Sequence, residues 1–424
     1  MSPSAPRQSR AFDWALWRAP VTGVAIVLLL GLGAAVLRGQ WQLSKTTIEE
    51  TDAQDFGIFY ASVRNAVSGK GLYAPLPPRR LARHYTGQLN LNLPHTNLFF
   101  LPLAFLSPRQ GLAAWAIASL LVFAWSSWAS LRALRWRLPL VGWIALVVYL
   151  LAWGPAAAFS LTLQLSFLLM GPVTASWLAA REGRSVAAGA WLGLAASAKP
   201  FLLLVVAYLA LRRDARALRA FAVVSLLFVL AGLVVFGPQS YVDWLTQLPR
   251  VAWASHYMNA SLGGLVERLF GHPYYATVSG AGWVRFTLLP IVSLAIAVIT
   301  LRAAVRLPRS AVGVDHAWAV VLLASILLSP LGWVYYLWIA LWPVAATIGH
   351  QQPWRHPSAR DWWLVPGLCG WLWYRRMAAW GQPSPLATAA FASMYFWALL
   401  LLWWWCLGSR ALDSRRSEVE TGFR

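Results

Sequence analysis

Continuous apolar runs separated by short basic turns recur from Val21 to Leu407. Several reach the ~20 residues that a bilayer-crossing helix needs, and none shows the period-two alternation of a lipid-facing strand. The runs predict spans at roughly 19–38, 109–131, 138–153, 156–180, 185–198, 200–211, 217–236, 283–303, 314–329, 332–349, 361–374 and 386–408. The expected fold class is all-α, a polytopic transmembrane helical bundle of about 12 spans, because helices satisfy their own backbone groups in lipid. The pieces 185–198 and 200–211 are short for a crossing. Read as one kinked helix, they would flip every later loop across the membrane. Read as two short helices meeting at Lys199-Pro200, they keep the topology regular. A break at that depth requires protein or a wet cavity to satisfy the freed backbone.

Two longer, more polar segments interrupt the runs, at 39–108 and 237–282. In the first, Phe56, Phe59, Tyr60, Val63 and Val67 recur at helical spacing and predict an amphipathic helix over Asp52 to Ser68, lying on the outer membrane surface. Gly69 stops it, and Pro75, Pro77 and Pro78 keep the next stretch extended. The apolar run Leu98 to Leu106 is too brief to span. No internal repeat and no separate soluble domain is visible, so residues 1–424 read as a single transmembrane domain.

Composition agrees: 59% of residues are hydrophobic and 12% charged, where a soluble domain carries about 25% charged. The net charge of +21 could suggest a nucleic-acid partner, but the arginines sit in small clusters between apolar runs rather than in one basic domain. Such clusters are topology signals. They place Arg7, Arg10 and Arg18, Arg132 to Arg137, Arg181 and Arg184, Arg212 to Arg219, Arg302 to Arg309, Arg355 and Arg360, and Arg410 to Arg416 on the cytoplasmic side. Both termini are then expected in the cytoplasm of a bacterial inner membrane, with an uncleaved signal anchor over the first residues. Arg375 and Arg376 break the rule. Cys369 and Cys406 both lie in apolar runs, giving neither a disulfide framework nor a metal pattern. No nucleotide loop is present, and neither a metal nor a cofactor is expected.

Topology assigns most of the 14 carboxylates to the inner side and leaves Glu49, Glu50, Asp52, Asp55, Asp243 and Glu267 outside. Four of these fall between residues 49 and 55. Acids at a helix start are favoured by the helix dipole, and Thr51 with Gln54 resembles a capping box. Asp55 differs in being flanked by Phe56, Phe59 and Tyr60, where partial desolvation suits a general base. Lys199, in an apolar run before Pro200, either snorkels to the interface or holds an anionic headgroup, most plausibly a phosphate. Gln164, Asn259, Ser261, Arg268, His95 and His256 are further outer-face polar groups, and Ser329 to Tyr336 forms an outer turn.

These fragments share an order that resembles the polytopic GT-C glycosyltransferases, and most closely glycosyltransferase family 87, whose members include polyprenyl-phosphate-mannose-dependent mannosyltransferases. The matching pieces begin with Asp55-Phe56-Gly57-Ile58-Phe59-Tyr60 and Gly69-Lys70-Gly71-Leu72-Tyr73. Pro94, Leu101-Pro102-Leu103-Ala104, Gln164, Ala198-Lys199-Pro200, Asn259-Ala260-Ser261-Leu262 with Arg268, and Ser329-Pro330 with Trp333 come next. The resemblance implies that Asp55 activates an acceptor hydroxyl and that Lys199 and Arg268 hold the donor phosphate. Tyr60, Gln164, Asn259, Trp333 and Tyr335 are then expected to line the substrate cavity. The implied partners are a polyprenyl-phosphate sugar donor, a glycolipid or glycan acceptor, and membrane lipids. The chain departs from the family at Leu163, where members often carry Gly before the Gln. It departs also at Leu93-Pro94-His95, in place of Tyr-Pro-Pro, and at Tyr335 and Tyr336, near which many members carry His.

Two other classes fit a many-spanning chain. A transporter or lipid-linked glycan flippase would carry polar pairs at mid-span and two-fold repetition, and this sequence has neither. A glycan polymerase or ligase would rely on outer Arg and His residues and leave Asp55 dispensable.

Overall fold

The computed structural model describes residues 14–49, 54–76, 89–136, 138–251, 253–270, 282–352, 358–370 and 384–408. The regular elements among them are helical, and their order tracks the apolar runs. The amino-terminal helices are α1 (Trp14–Glu49), the amphipathic α2 (Gln54–Val67), α3 (Pro108–Leu134), α4 (Leu140–Ala152), α5 (Gly154–Thr162) and α6 (Ser166–Arg181). Next come α7 (Ser185–Ala198), α8 (Leu203–Leu211), α9 (Ala215–Phe236), α10 (Gln239–Gln247) and α11 (Leu262–Phe270). The last are α12 (Leu289–Arg306), α13 (Ala311–Leu328), α14 (Leu341–Gln351), α15 (Leu364–Cys369), α16 (Pro385–Ala390) and α17 (Met394–Gly408). Glu50, Thr51 and Asp52, like Arg375 and Arg376, lie outside the described residues.

Five helices are long and apolar enough to cross a membrane, or six if the bent pair α4 and α5 is one span; 185–198, 200–211 and 394–408 are shorter apolar helices. Two expected spans are interrupted. The run 156–180 breaks after Thr162, and 332–349 begins as a 3₁₀ turn, Val334–Ala340, before α14. The outer helices present apolar side chains outward: α9 buries only Ala217 and Gly232, while Val223, Leu226, Leu230 and Val234 are exposed. Bare apolar surface of that extent belongs against lipid.

α13 is the hub. Every residue from Gly313 to Leu327 is buried, packed among α6, α8, α12, α14, α17 and the Val334–Ala340 turn. A second close contact joins α7 to α9. A Cβ on Gly189 would strike the Ala217 carbonyl, and one on Gly193 would come 2.8 Å from the Phe221 oxygen. The Gly-x-x-x-Gly spacing lets the two backbones touch, the usual route to helix association in lipid.

The basic turns gather at one end of this bundle. Arg181 donates to Ala133 O and pairs with Asp315 at the start of α13. Arg212 donates to the carbonyls of Val305 and Leu307, just before α13. The turns at 181–184 and 212–219 therefore share an end, so α7 and α8 form a hairpin with Lys199 at the opposite end. A single kinked helix would have separated those turns.

Candidate active site

At the end opposite the basic turns, the α5–α6 break, the α7–α8 break, the start of α2 and the turn after α13 converge. Each break exists for a local reason. Leu163 adopts a left-handed conformation, φ 46° and ψ 46°, that ends α5. A branched L-residue is strained there, where a glycine would not be. Trp115 compensates by donating its indole N–H to the Leu163 carbonyl at 2.8 Å. At the second break, Pro200 has no N–H to continue the helix. The carbonyls left open at the end of α7 are taken up from outside. His95 Nε2 lies 2.9 Å from Ser197 O, and Thr96 Oγ1 donates to the Ser197 and Ala198 carbonyls. The Pro94–Phe99 turn that carries them wedges against α9, where Gly232 leaves no space for a Cβ.

The two breaks deliver Gln164 and Lys199 to the same region as Asp55. Gln164 is 6% exposed; its Oε1 accepts the Leu165 N–H, and its amide donates to Asp55 Oδ2 at 2.8 Å. The Tyr335 hydroxyl reaches the same oxygen at 3.5 Å, a long and weak contact. Asp55 itself, in the first turn of α2, is partly exposed. Lys199 donates to Asn92 Oδ1 at 2.8 Å and stands 5.6 Å from the centre of the Tyr336 ring. Among the described residues no carboxylate comes within ion-pair distance of it, although Asp55 is near enough for their charges to interact. Trp333, also partly exposed, stacks on Tyr335 at 6.2 Å. The region therefore holds a carboxylate, a cation with a neutral partner, and an aromatic wall.

Three further expected cavity or phosphate residues have their polar groups engaged by the protein. Tyr60 is five positions beyond Asp55 on α2, which turns it about 140° around the helix. Its hydroxyl is committed to the Leu106 carbonyl at 2.8 Å, and its ring packs over Gly111. Asn259 is fully buried and donates its amide to the Ala254 and Pro330 carbonyls at 2.8 and 3.1 Å, while its Oδ1 accepts from Ser261. It bridges to Trp333, with Ala260 N–H on Gly332 O and Val334 N–H on Met258 O. Arg268 is likewise 0% exposed and donates to Ser393 Oγ and to the His256 and Asn259 carbonyls, each at 2.9 Å. In this structure the guanidinium is turned into the protein, and these contacts fix its position. Asn259 and Arg268 hold the 256–261 loop against the turn bearing Trp333 and Tyr335. His256 in that loop, enclosed by its neighbours and facing the Arg268 charge, is held down to about 4 and stays neutral; its Nδ1 accepts the Met258 N–H at 3.2 Å.

An apolar cleft of about 370 Å³ adjoins the site between α3, α6 and α7, lined by Phe99, Val122, Trp125, Leu169, Trp191 and Ala198 among others. It includes Leu165 and Ala198, the immediate neighbours of Gln164 and Lys199. No group of three or more His, Cys, Asp or Glu residues capable of holding a metal occurs among the described residues.

Sequence reasoning did not foresee Asn92. It lies in an asparagine-rich stretch, Asn90 to Asn97, whose neutral side chains give no charge or periodicity signal. A family model, glycosyltransferase family 87, matches residues 91–330. That stretch carries Asn92, Gln164, Lys199, Asn259 and Arg268, with Asp55 before it and Tyr335 after it. No curated protein and no solved structure matches the chain.

Proposed function

Since the chain belongs to glycosyltransferase family 87 and is a membrane glycosyltransferase, we propose that it moves a hexose of mannose type from a polyprenyl-phosphate sugar to a hydroxyl acceptor at the outer face of a bacterial inner membrane. The observation that carries this reading is the convergence, from opposite ends of the sequence, of Asp55, Gln164 and Tyr335 beside a Lys199 that no carboxylate among the described residues pairs with.

In the reaction, Asp55 accepts the proton of the acceptor hydroxyl as its oxygen forms a bond to the anomeric carbon. The bond from that carbon to the phosphate oxygen breaks, and polyprenyl phosphate leaves with its electron pair. One displacement with no covalent intermediate inverts the anomeric configuration. Gln164 orients the carboxylate by holding Oδ2. Lys199 offsets the charge that grows on the departing phosphate, where a positive group in a poorly solvated site acts strongly. The hydrocarbon chain of the donor lies in the apolar cleft, whose wall continues from Ala198 into Lys199. Trp333 and Tyr335 give the sugar a flat aromatic face. With the basic turns read as cytoplasmic, this site faces the outer side.

Asp55→Asn keeps shape and hydrogen-bonding size but removes the base. Sugar transfer from a polyprenyl-phosphate donor by the purified, correctly inserted variant should fall at least about 100-fold. Turnover above a few per cent of the unsubstituted enzyme would reject the assignment.

A further inference from the structure

Beside Lys199, the buried side chain of Asn92 carries a donor with no acceptor among the described residues. Asn92 is 3% exposed, and its position is fixed on every side but one. Its N–H donates to Asn90 Oδ1 at 3.0 Å, its carbonyl accepts from the Tyr73 hydroxyl, and its Oδ1 accepts from Lys199 Nζ at 2.8 Å. Its Nδ2 is buried without an acceptor among the described residues. The other asparagines nearby differ. Asn90 Nδ2 donates to Asn97 Oδ1 at 2.8 Å, and Asn97 Nδ2 donates to Leu93 O at 3.0 Å. An amide N–H pair left unsatisfied in a protein interior is costly and calls for a missing partner. The group beside this one is an ammonium, so both are donors. An acceptor of negative charge complements the pair best, and oxygens of a phosphate do so with charge-assisted hydrogen bonds.

Resting on the donor reading above, we propose that Asn92 and Lys199 form one seat for the phosphate of the lipid donor. Asn92 plays two parts. Through Oδ1 it holds Nζ without neutralising it, as a carboxylate at the same position would. Through Nδ2 it donates to a phosphate oxygen. The same geometry keeps Lys199 from collapsing onto Asp55, so base and anion seat stay distinct. The His95 and Thr96 contacts to the end of α7 make the arrangement rigid, because they fix the backbone from which Lys199 springs.

The test uses the full chain in lipid nanodiscs, titrated with geranylgeranyl phosphate and, as the uncharged control, geranylgeraniol. The unsubstituted protein should prefer the phosphate. Asn92→Ala should weaken phosphate binding about tenfold, one charge-assisted hydrogen bond, and leave the alcohol unchanged. Asn92→Asp, of equal size, should weaken it further, about 100-fold, because it turns a donor into an anion and pairs with Lys199. Lys199→Ala should cost as much as Asn92→Asp. Phosphate affinity unchanged in both Asn92 variants would overturn the proposal. So would equal losses for phosphate and alcohol, which mark a structural role; the isosteric Asp variant guards against reading a misfolded Ala variant as support. An unsubstituted protein that does not distinguish phosphate from alcohol would overturn the donor reading itself, and this proposal with it.

Discussion

Two carboxylates at opposite ends of the bundle show how surroundings decide what an acid does. Asp315, at the basic end, is fully buried and completely engaged. Arg181 Nε lies 2.6 Å from one oxygen, the Trp177 indole donates to the same oxygen at 2.9 Å, and His350 Nε2 lies 2.9 Å from the other. Three helices, α6, α13 and α14, are tied together through it. Asp55, at the other end, is partly exposed, receives neutral donors from Gln164 and Tyr335, and has its nearest lysine tethered to an asparagine. The first carboxylate has a guanidinium to neutralise it and no access; the second has access, with neutral donors on Oδ2. A buried ion pair is paid for in desolvation and serves architecture, whereas a carboxylate held by neutral donors remains able to take a proton.

The contrast is broken most severely by removing the charge at the basic end. Asp315→Asn leaves Arg181 enclosed with no counter-charge and should destabilise the protein by about 3 kcal/mol. It should lower the thermal unfolding midpoint in detergent while transfer per folded molecule stays near normal. Asp55→Asn should do the reverse, and equal effects of both variants on unfolding would erase the distinction. Gln164→Leu, which strips one neutral donor from a charged acceptor, should lower kcat about tenfold with donor KM little changed. A rise in KM alone would make Gln164 a substrate contact instead. Tyr335→Phe should cost less than about threefold in kcat, because a 3.5 Å contact is too long to contribute more. The gentlest test is pH. His256 is held at about 4 in the fold against 6.5 in the free side chain. The unfolded chain therefore binds this proton first, and stability should decline as pH falls from about 6.5 to about 4. In His256→Gln the unfolding midpoint should decline less over that interval.

The sequence made the helical class and the amphipathic helix α2 plain, because apolar run length and a 3.6-residue period are linear signals. It also brought Asp55, Gln164, Lys199, Trp333 and Tyr335 to one face through their motifs. Other features of the site were not legible, for specific reasons. Tyr60 lies in the right motif, but helix geometry turns it away from Asp55. Asn259 and Arg268 lie in a matching fragment, yet a motif does not say whether a residue touches a ligand or holds the loop that does. The interruption at Leu163 was hidden because leucine is an ordinary helix former, and its left-handed backbone is imposed by packing and the Trp115 contact. The number of crossings is likewise not a matter of run length alone where short helices pair into hairpins. The approach of α7 to α9 emerged only in the structure, because the Gly189 and Gly193 spacing takes its meaning from the partner helix.

The latch of His95 and Thr96 on the end of α7 has a practical consequence for building hybrids of this enzyme. Segments about a hundred positions apart are complementary halves of one joint, so neither is interchangeable alone. A chimera that imports the segment between α1 and α3 from another protein, without His95 and Thr96, inherits a lock without its key unless the α7–α8 hairpin travels with it.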